Sequence, residues 1–131
     1  MSADIQATSG SKKMYWAGWV MGVLPALMML MSAGMKLSQS PMVVEGFAKM
    51  GFPEGTAVQL GILELVITLL YLIPRTSVIG AILLTGYLGG AIVTHLRVSE
   101  ALHVPILLGV LFWGGLFLRD ARVRALIPLV R

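Results

Sequence analysis

The sequence has no cysteine and few charged residues, and both shortages narrow what the protein can do. Without a thiol, the chain can form no disulfide, no thiolate metal site and no thiol-based redox centre. Charged residues make up 12% of its 131 residues, roughly half the share of an ordinary soluble domain. Hydrophobic residues make up 57%, and a soluble chain of this size could not cover so much apolar surface. The composition therefore predicts a protein whose solvent is a lipid bilayer.

The sequence also lacks the short motifs that mark common enzymes. It contains no phosphate-binding glycine loop, no nucleophile beside a base and no cluster of metal ligands. These absences leave enzymatic activity undecided and weigh against it. The net charge of +4 comes from basic residues that flank apolar runs instead of forming one stripe. That arrangement is typical of membrane topology signals and argues against nucleic-acid binding.

Long apolar runs predict four membrane helices, at about residues 15–35, 56–73, 77–96 and 101–118. Residues 41–50 carry apolar side chains at helical spacing and predict a short amphipathic helix. Residues 1–14 are interpreted as a disordered cytoplasmic tail, and residues 119–131 as a basic tail along the membrane surface. The predicted fold class is all-α. One membrane domain, 15–131, forms a four-helix transmembrane bundle with the amphipathic interfacial helix between helices 1 and 2.

Two other interpretations of these runs are open. A cleaved signal peptide would also begin with a basic pair such as Lys12 and Lys13, but its apolar core would be shorter and a small-residue cleavage site would follow. A soluble helical bundle would show apolar stripes, whereas these runs are apolar on all sides. We therefore expect uncleaved membrane helices.

Basic residues are distributed unequally between the two ends of the predicted helices. With four spans, one side holds both termini and the turn at 74–76, and it carries Lys12, Lys13, Arg75, Arg119, Arg122, Arg124 and Arg131. The opposite side carries Lys36, Lys49 and Arg97. The positive-inside rule then places both termini in the cytoplasm. The residues interpreted as topology or lipid-headgroup residues are Arg75, Arg119, Arg122 and Arg124.

One acidic residue interrupts the second apolar run. Glu64 lies about 12 Å into its helix, near mid-membrane. A charged carboxylate there costs on the order of 3 kcal/mol, unless it is protonated, paired with a cation or hydrogen-bonded inside the bundle. Residues at spacings of three and four share its helix face, which must point into the protein: Gly61, Glu64, Thr68 and Tyr71.

The third helix supplies a partner for Glu64. Because this helix runs antiparallel to the second, Tyr87 falls at about the depth of Glu64. Its hydroxyl is predicted to donate a hydrogen bond to the Glu64 carboxylate. Replacement of Glu64 by leucine is expected to permit membrane insertion, since it removes an unfavourable transfer term.

A second group of polar residues lies at the outer ends of the predicted helices: Lys36, His95, Arg97 and His103. Each is more typical of an interfacial anchor than of a ligand. His95 and His103 flank one short loop and would approach each other there. Two histidines favour a metal or haem site only weakly, so no metal is predicted.

Glycines four residues apart predict close helix packing. Gly18 and Gly22 form one such pair in the first helix, and Gly86 and Gly90 form another in the third. Gly109, Gly114 and Gly115 are expected to play the same part in the fourth helix. These glycines would let neighbouring backbones approach each other.

The segments "AGMKL" (33–37), "GILELVITLLYLIPRT" (61–76) and "GAILLTGYLGGAIVTHLR" (80–97) resemble the DoxX-like family of small bacterial membrane proteins. "PMVVEGFAKMGFP" (41–53) and "LGVLFWGGLFLRDARVRALIPL" (108–129) extend the resemblance over nearly the whole chain after residue 15. It implies a multi-pass protein of the bacterial inner membrane with a four-helix bundle. The positions that match the family pattern are Lys36, Glu64, Tyr71, Arg75, Tyr87, Gly89, His95 and Arg97.

The resemblance leaves three functions open. The wider group is linked to quinone-coupled oxidoreductase systems, which implies an accessory subunit of a membrane redox complex, or a small-molecule-binding protein with a Glu64–Tyr87 pocket. In the second alternative the chain is a non-catalytic scaffold or assembly factor, and in the third it is a proton-coupled transporter acting as an oligomer. The expected partners are membrane lipids, a larger redox complex and a second copy of the chain. The cofactor is left open: quinone is the candidate, and haem on His95 and His103 is disfavoured. The pocket candidates are Glu64, Tyr87, Thr68, Tyr71, Lys36, His95 and Arg97.

Overall fold

The computed structural model describes residues 12–130, which form six α-helices, one 3₁₀ turn and no strand. The helices are α1 (Lys12–Leu37), α2 (Pro41–Lys49), α3 (Thr56–Leu72), α4 (Ser77–Arg97), α5 (His103–Arg119) and α6 (Ala121–Leu126). The 3₁₀ turn, Pro74–Thr76, joins α3 to α4. The described part of the chain is therefore all-α, as the sequence predicts.

The N-terminal helix begins earlier than expected. The prediction of a disordered tail over 1–14 is wrong for the last three of those residues, because α1 already begins at Lys12. Lysine is a good helix former, and Lys12 and Lys13 keep their side chains exposed while the helix extends beyond its apolar run. The rest of the predicted tail, 1–11, lies outside the described residues.

The basic C-terminal segment contains a helix of its own. Asp120 ends α5 and caps α6, because its side chain accepts a hydrogen bond from the backbone N–H of Arg122 at 2.9 Å. Val123 of α6 is buried and joins the hydrophobic core. The segment is thus anchored at Val123, and its position along a membrane surface stays a prediction.

Four helices form a closed ring in which each packs against two neighbours. α1 packs against α3 and α5, and α4 packs against the same two helices. α1 and α4 therefore face each other across the ring. The core between them contains Met29, Ile67, Leu84, Leu88 and Phe112.

The outer surface of the ring is apolar. Large exposed side chains occur on all four helices and include Val20, Leu24, Met31, Ile62, Val66, Ile79, Val93, Ile106 and Val110. Proteins in water rarely leave so much apolar surface uncovered, whereas lipid tails are as apolar as these side chains. The burial pattern agrees with the membrane environment that the composition predicts.

Only some of the helices have the length expected of a membrane span. α1, with 26 residues, and the segment Pro74–Arg97, with 24, are long and apolar enough to cross a bilayer. α3 and α5 are apolar but have 17 residues each. At helical rise that is about 26 Å, against a hydrocarbon core of about 30 Å. Two of the four predicted spans, α1 and the segment Pro74–Arg97, are therefore long enough to cross the core fully, and α3 and α5 are shorter.

Glycines allow α1 and α5 to approach closely. A Cβ atom on Gly18 would lie 2.7 Å from the carbonyl oxygen of Gly115, and one on Gly115 would lie 2.7 Å from the backbone nitrogen of Gly22. The predicted packing role of these glycines is therefore confirmed. For Gly86 and Gly90 it is wrong, since a Cβ atom at either position would meet nothing within 4 Å.

Candidate functional site

A cavity of about 800 Å³ lies inside the ring, towards the end where α2 is found. All four ring helices contribute to its wall, through Met29 of α1, Leu60 and Leu63 of α3, Leu88 and Ala91 of α4, and Val104 and Leu108 of α5. Phe47 of α2 and Phe52 beyond it also line the cavity. Gly86 and Gly90 line it as well, so their missing side chains widen the cavity instead of tightening a helix contact.

Four of the polar side chains that line this cavity form a group that we call the Glu64 cluster: Ser32, Lys36, Glu64 and Tyr87. Glu64 is 0% exposed. Its Oε1 atom accepts hydrogen bonds from Lys36 Nζ at 2.5 Å, from Tyr87 Oη at 2.8 Å and from Ser32 Oγ at 3.2 Å. Lys36 Nζ also donates to Ser32 Oγ at 2.7 Å. One carboxylate oxygen thus joins α1, α3 and α4.

The charge on Glu64 is balanced within the cluster. Lys36 forms an ion pair with it, and the Lys36 side chain is 14% exposed. The ammonium also lies 5.8 Å from the centre of the Tyr87 ring, within range of a cation–π contact. A buried carboxylate left without a cation is strongly destabilising, so the pair explains how this residue is tolerated in an apolar helix.

The second oxygen of Glu64 has a different environment. Oε2 is buried and has no hydrogen-bond partner among the described residues. Buried polar atoms in proteins are nearly always hydrogen-bonded, and an exception calls for an explanation such as an absent ligand or water. Glu64 lines the cavity, so a molecule held there that carries an O–H or N–H group can supply the missing donor.

The sequence identified part of the Glu64 cluster. The predicted hydrogen bond from Tyr87 to Glu64 is present. The sequence places Lys36 among the pocket candidates and the interfacial anchors. It does not predict the ion pair with Glu64, because helix spacing does not show that α1 packs against α3. Ser32 was also missed, although it lies one turn before Lys36 on the same face of α1. That spacing was the one available signal for it.

Two other pocket candidates lie elsewhere. Neither Thr68 nor Tyr71 lines the cavity. Thr68 Oγ1 donates to the Glu64 carbonyl oxygen at 2.6 Å, and Tyr71 Oη donates to the Phe112 carbonyl oxygen at 2.5 Å. Tyr71 is about 10 Å further along α3 than Glu64, so residues on one helix face need not share one site.

The outer polar residues are only partly brought to the cavity. His95 lines it, with Nδ1 2.7 Å from the Ala91 carbonyl oxygen and Nε2 3.8 Å from Glu100. Arg97 donates to the Met50 carbonyl oxygen, which ties α4 to the end of α2. His103 is exposed and does not line the cavity, so this geometry gives a haem shared by the two histidines no support. Within residues 12–130 no group of three or more potential ligands could hold a metal ion.

The four arginines interpreted as topology residues differ in their surroundings. Arg75 and Arg122 are exposed, and Arg124 donates to the carbonyl oxygens of Phe117 and Leu118 near the end of α5. Arg119 is only 8% exposed. Arg119 is buried because the chain turns at Asp120 and packs α6 back against α5, and its role as a topology or lipid-headgroup residue stays a prediction.

Comparison with known proteins gives one match. A family model described as the DoxX-like family matches residues 20–115. The matched region includes the whole Glu64 cluster and every residue that lines the cavity. No curated protein and no solved structure matches the chain.

Proposed function

The chain belongs to the DoxX-like family, and from this membership we propose that it binds one small amphiphilic molecule, a quinol, inside the membrane. The family and the apolar outer surface identify a membrane protein. We further propose that it serves as an accessory subunit of a quinone-linked redox complex. The observation that carries the proposal is the fully buried Glu64, one of whose carboxylate oxygens accepts no hydrogen bond from the described residues, in the wall of a largely apolar cavity.

The dimensions and lining of the cavity support this ligand class. Small-molecule sites usually have volumes of about 300–1,000 Å³, apolar walls and a few polar groups that orient the ligand. The present cavity, at about 800 Å³, has mostly apolar walls, the Glu64 cluster and a few further polar residues that include His95. A quinol ring with an apolar tail would place its hydroxyl near Glu64 and its tail among residues such as Leu63 and Leu108.

The hydrogen bonds of the Glu64 cluster favour a ligand that donates a hydrogen bond. Oε1 already accepts three hydrogen bonds, and Oε2 accepts none from the described residues. A quinol donates an O–H, whereas the corresponding quinone can only accept. The chain offers no nucleophile with a base, so we propose that it holds the ligand and leaves its oxidation to a partner complex.

The membrane arrangement is part of the proposal. We propose that α1, α3, α4 and α5 all cross a bacterial inner membrane, with both termini in the cytoplasm. α3 and α5 lie at the short end of the range for membrane helices, about 17–25 residues. The ring packing supports four spans. α1 and α4 are long enough to cross the membrane, and α3 and α5 pack between them on either side. The excess of basic residues at the start of α1 and at the end of α5 supports this orientation of the termini.

A scaffold function is the second candidate, and one observation favours it. The Glu64 cluster links three helices through a single carboxylate oxygen, which would stabilise the bundle with or without a ligand. In a scaffold the cavity would be filled by lipid chains without selectivity. The binding experiments below separate the two functions.

A side chain that fills the cavity should weaken ligand binding strongly and leave the fold intact. We expect Gly90→Leu to weaken binding of a decyl-substituted benzoquinol by more than about tenfold, because the added side chain extends into the cavity from a position with open space. Gly89→Leu is the matched control, since Gly89 has equal space but does not line the cavity. Native mass spectrometry of each detergent-extracted variant, titrated with the quinol, measures the affinity. Equal binding by the two variants would contradict the proposed site.

The free oxygen of Glu64 predicts a preference for the reduced ligand. A hydrogen bond to a charged group contributes about 1.5–3 kcal/mol, so we expect the quinol to bind at least about tenfold tighter than the quinone. Glu64→Gln should remove this preference, because its amide group can donate as well as accept. Anaerobic titrations with both redox forms test this. If the variant changes only the melting temperature and not the preference, the scaffold function is supported instead.

A further inference from the structure

Arg119, the last residue of α5, is a buried cation with unused hydrogen-bond donors. Its side chain is 8% exposed, and neither Nε nor Nη2 has a hydrogen-bond partner among the described residues. No described acidic residue forms an ion pair with it. A buried charge with unpaired donors is costly, so the environment of Nε and Nη2 calls for an explanation.

Two aromatic rings account for only part of that environment. The Arg119 guanidinium carbon lies 3.8 Å from the centre of the Trp19 ring and 5.1 Å from that of Tyr71. Such contacts use the flat face of the guanidinium. Its N–H groups lie in the plane of the group and point away from a ring stacked on that face. Contact with the two rings therefore leaves Nε and Nη2 without a hydrogen-bond acceptor among the described residues.

Arg119 lines a pocket of about 230 Å³. Asp120 and Arg122 also line it, and they pair with each other through Nε–Oδ1 and Nη2–Oδ2 contacts of 3.1 and 2.9 Å. Partial burial would raise the pKa of Asp120, but the hydrogen bonds and charge of Arg122 outweigh it and lower that pKa. The charges of this pair cancel, so Arg119 leaves the pocket with a net charge of +1.

The carbonyl oxygens near the end of α5 do not oppose an anion there. A helix C-terminus carries partial negative charge, which would disfavour one. Arg124 Nη1 covers the carbonyl oxygens of Phe117 and Leu118, at 2.7 and 2.9 Å. The pocket therefore combines a cation that has unpaired donors with little opposing charge.

We propose that the pocket formed by Trp19, Arg119 and the Asp120–Arg122 pair binds a singly charged phosphate group. The planar fork of arginine matches two phosphate oxygens. A phosphodiester carries one negative charge, equal and opposite to that of the pocket. Tyr15 and Trp19 also line the pocket, and such residues commonly lie at headgroup level. The phosphate comes either from an anionic lipid headgroup or from a free phosphate.

Lipid binding to the full chain tests the proposal. We expect native mass spectrometry to detect phosphatidylglycerol bound to the native protein, and Arg119→Gln to weaken it by about ten- to a hundredfold. Lys49→Gln removes an exposed cation at the opposite end of the bundle, away from the pocket, and should retain the lipid. Diacylglycerol with the same acyl chains should not compete. Equal losses in the two variants, or competition by diacylglycerol, would overturn the proposal.

Free phosphate and a conservative variant complete the test. Thermal stabilisation by inorganic phosphate that depends on Arg119 would assign the site to free phosphate, and lipid binding alone would assign it to a headgroup. No binding of either probe would overturn the proposal. Should Arg119→Gln fail to fold, Arg119→Lys keeps the charge but loses the fork, and should bind about tenfold more weakly. Unchanged binding by that variant would refute the proposed phosphate contact.

Discussion

Replacing Lys36 with methionine is expected to destabilise the protein by about 3–5 kcal/mol. The substitution removes the cation but leaves Glu64 fully buried, with only the hydroxyls of Ser32 and Tyr87 as partners. Glu64 must then either remain charged without a cation or become protonated, and each alternative lowers the free energy of unfolding. This is the largest effect that we expect from a single polar side chain in this structure.

Replacing the other partner of the ion pair, Glu64, should destabilise the protein less. In Glu64→Leu the remaining Lys36 is 14% exposed and lies in the last turn of α1, so its flexible side chain can reach the membrane interface. The double substitution, which combines Lys36→Met with Glu64→Leu, leaves no buried charge and is expected to be nearly neutral.

Unfolding of the purified variants in mixed micelles, followed by circular dichroism, measures these differences. The expected order of destabilisation is Lys36→Met first, Glu64→Leu second and the double substitution last. If Lys36→Met proved no worse than Glu64→Leu, the ion pair would not be what keeps Glu64 stable. A double substitution as unstable as Lys36→Met would point to lost packing instead of an unpaired charge.

Alanine at Gly18 is expected to destabilise the bundle by about 1–3 kcal/mol. Its Cβ atom would lie 2.7 Å from the Gly115 carbonyl oxygen and 2.9 Å from the Arg119 backbone nitrogen. Those are backbone atoms of α5, so α1 and α5 would have to move apart. Gly115→Ala should have a similar effect, because it meets the backbone of Gly22 from the other side.

Gly34→Ala is the matched control for this prediction. Gly34 lies in the same helix, but a Cβ atom there meets nothing within 4 Å. The substitution should therefore cause no loss of stability under the same unfolding conditions. Equal melting temperatures for Gly18→Ala and Gly34→Ala would mean that α1 and α5 are not in such close contact.

Helical periodicity explains why some features could be predicted from the sequence. Spacings of three and four placed Gly61 and Glu64 on one face of α3, and both are buried. The antiparallel direction of α4 gave the depth of Tyr87, and the hydrogen bond to Glu64 is found there. Such inferences need only the geometry of one helix and the direction of the next.

Other features depend on which helices are neighbours, and a single helix does not encode that. Lys36 reaches Glu64 because α1 packs against α3, although 28 residues separate the two. Gly86 and Gly90 have the same spacing as Gly18 and Gly22, yet they line a cavity because α4 faces α1 across the ring instead of touching it.

By itself the sequence determined the apolar all-α character of this protein, the absence of thiol chemistry and the polar face around Glu64. Composition and periodicity are properties of the chain alone, and they specify solvent, helices and faces. Only the tertiary structure decided that Lys36 neutralises Glu64, that Arg119 is buried while Arg122 is exposed, and that a cavity remains inside the ring. These depend on helix packing and on the turn at Asp120, which bring distant residues together through contacts that sequence spacing does not specify.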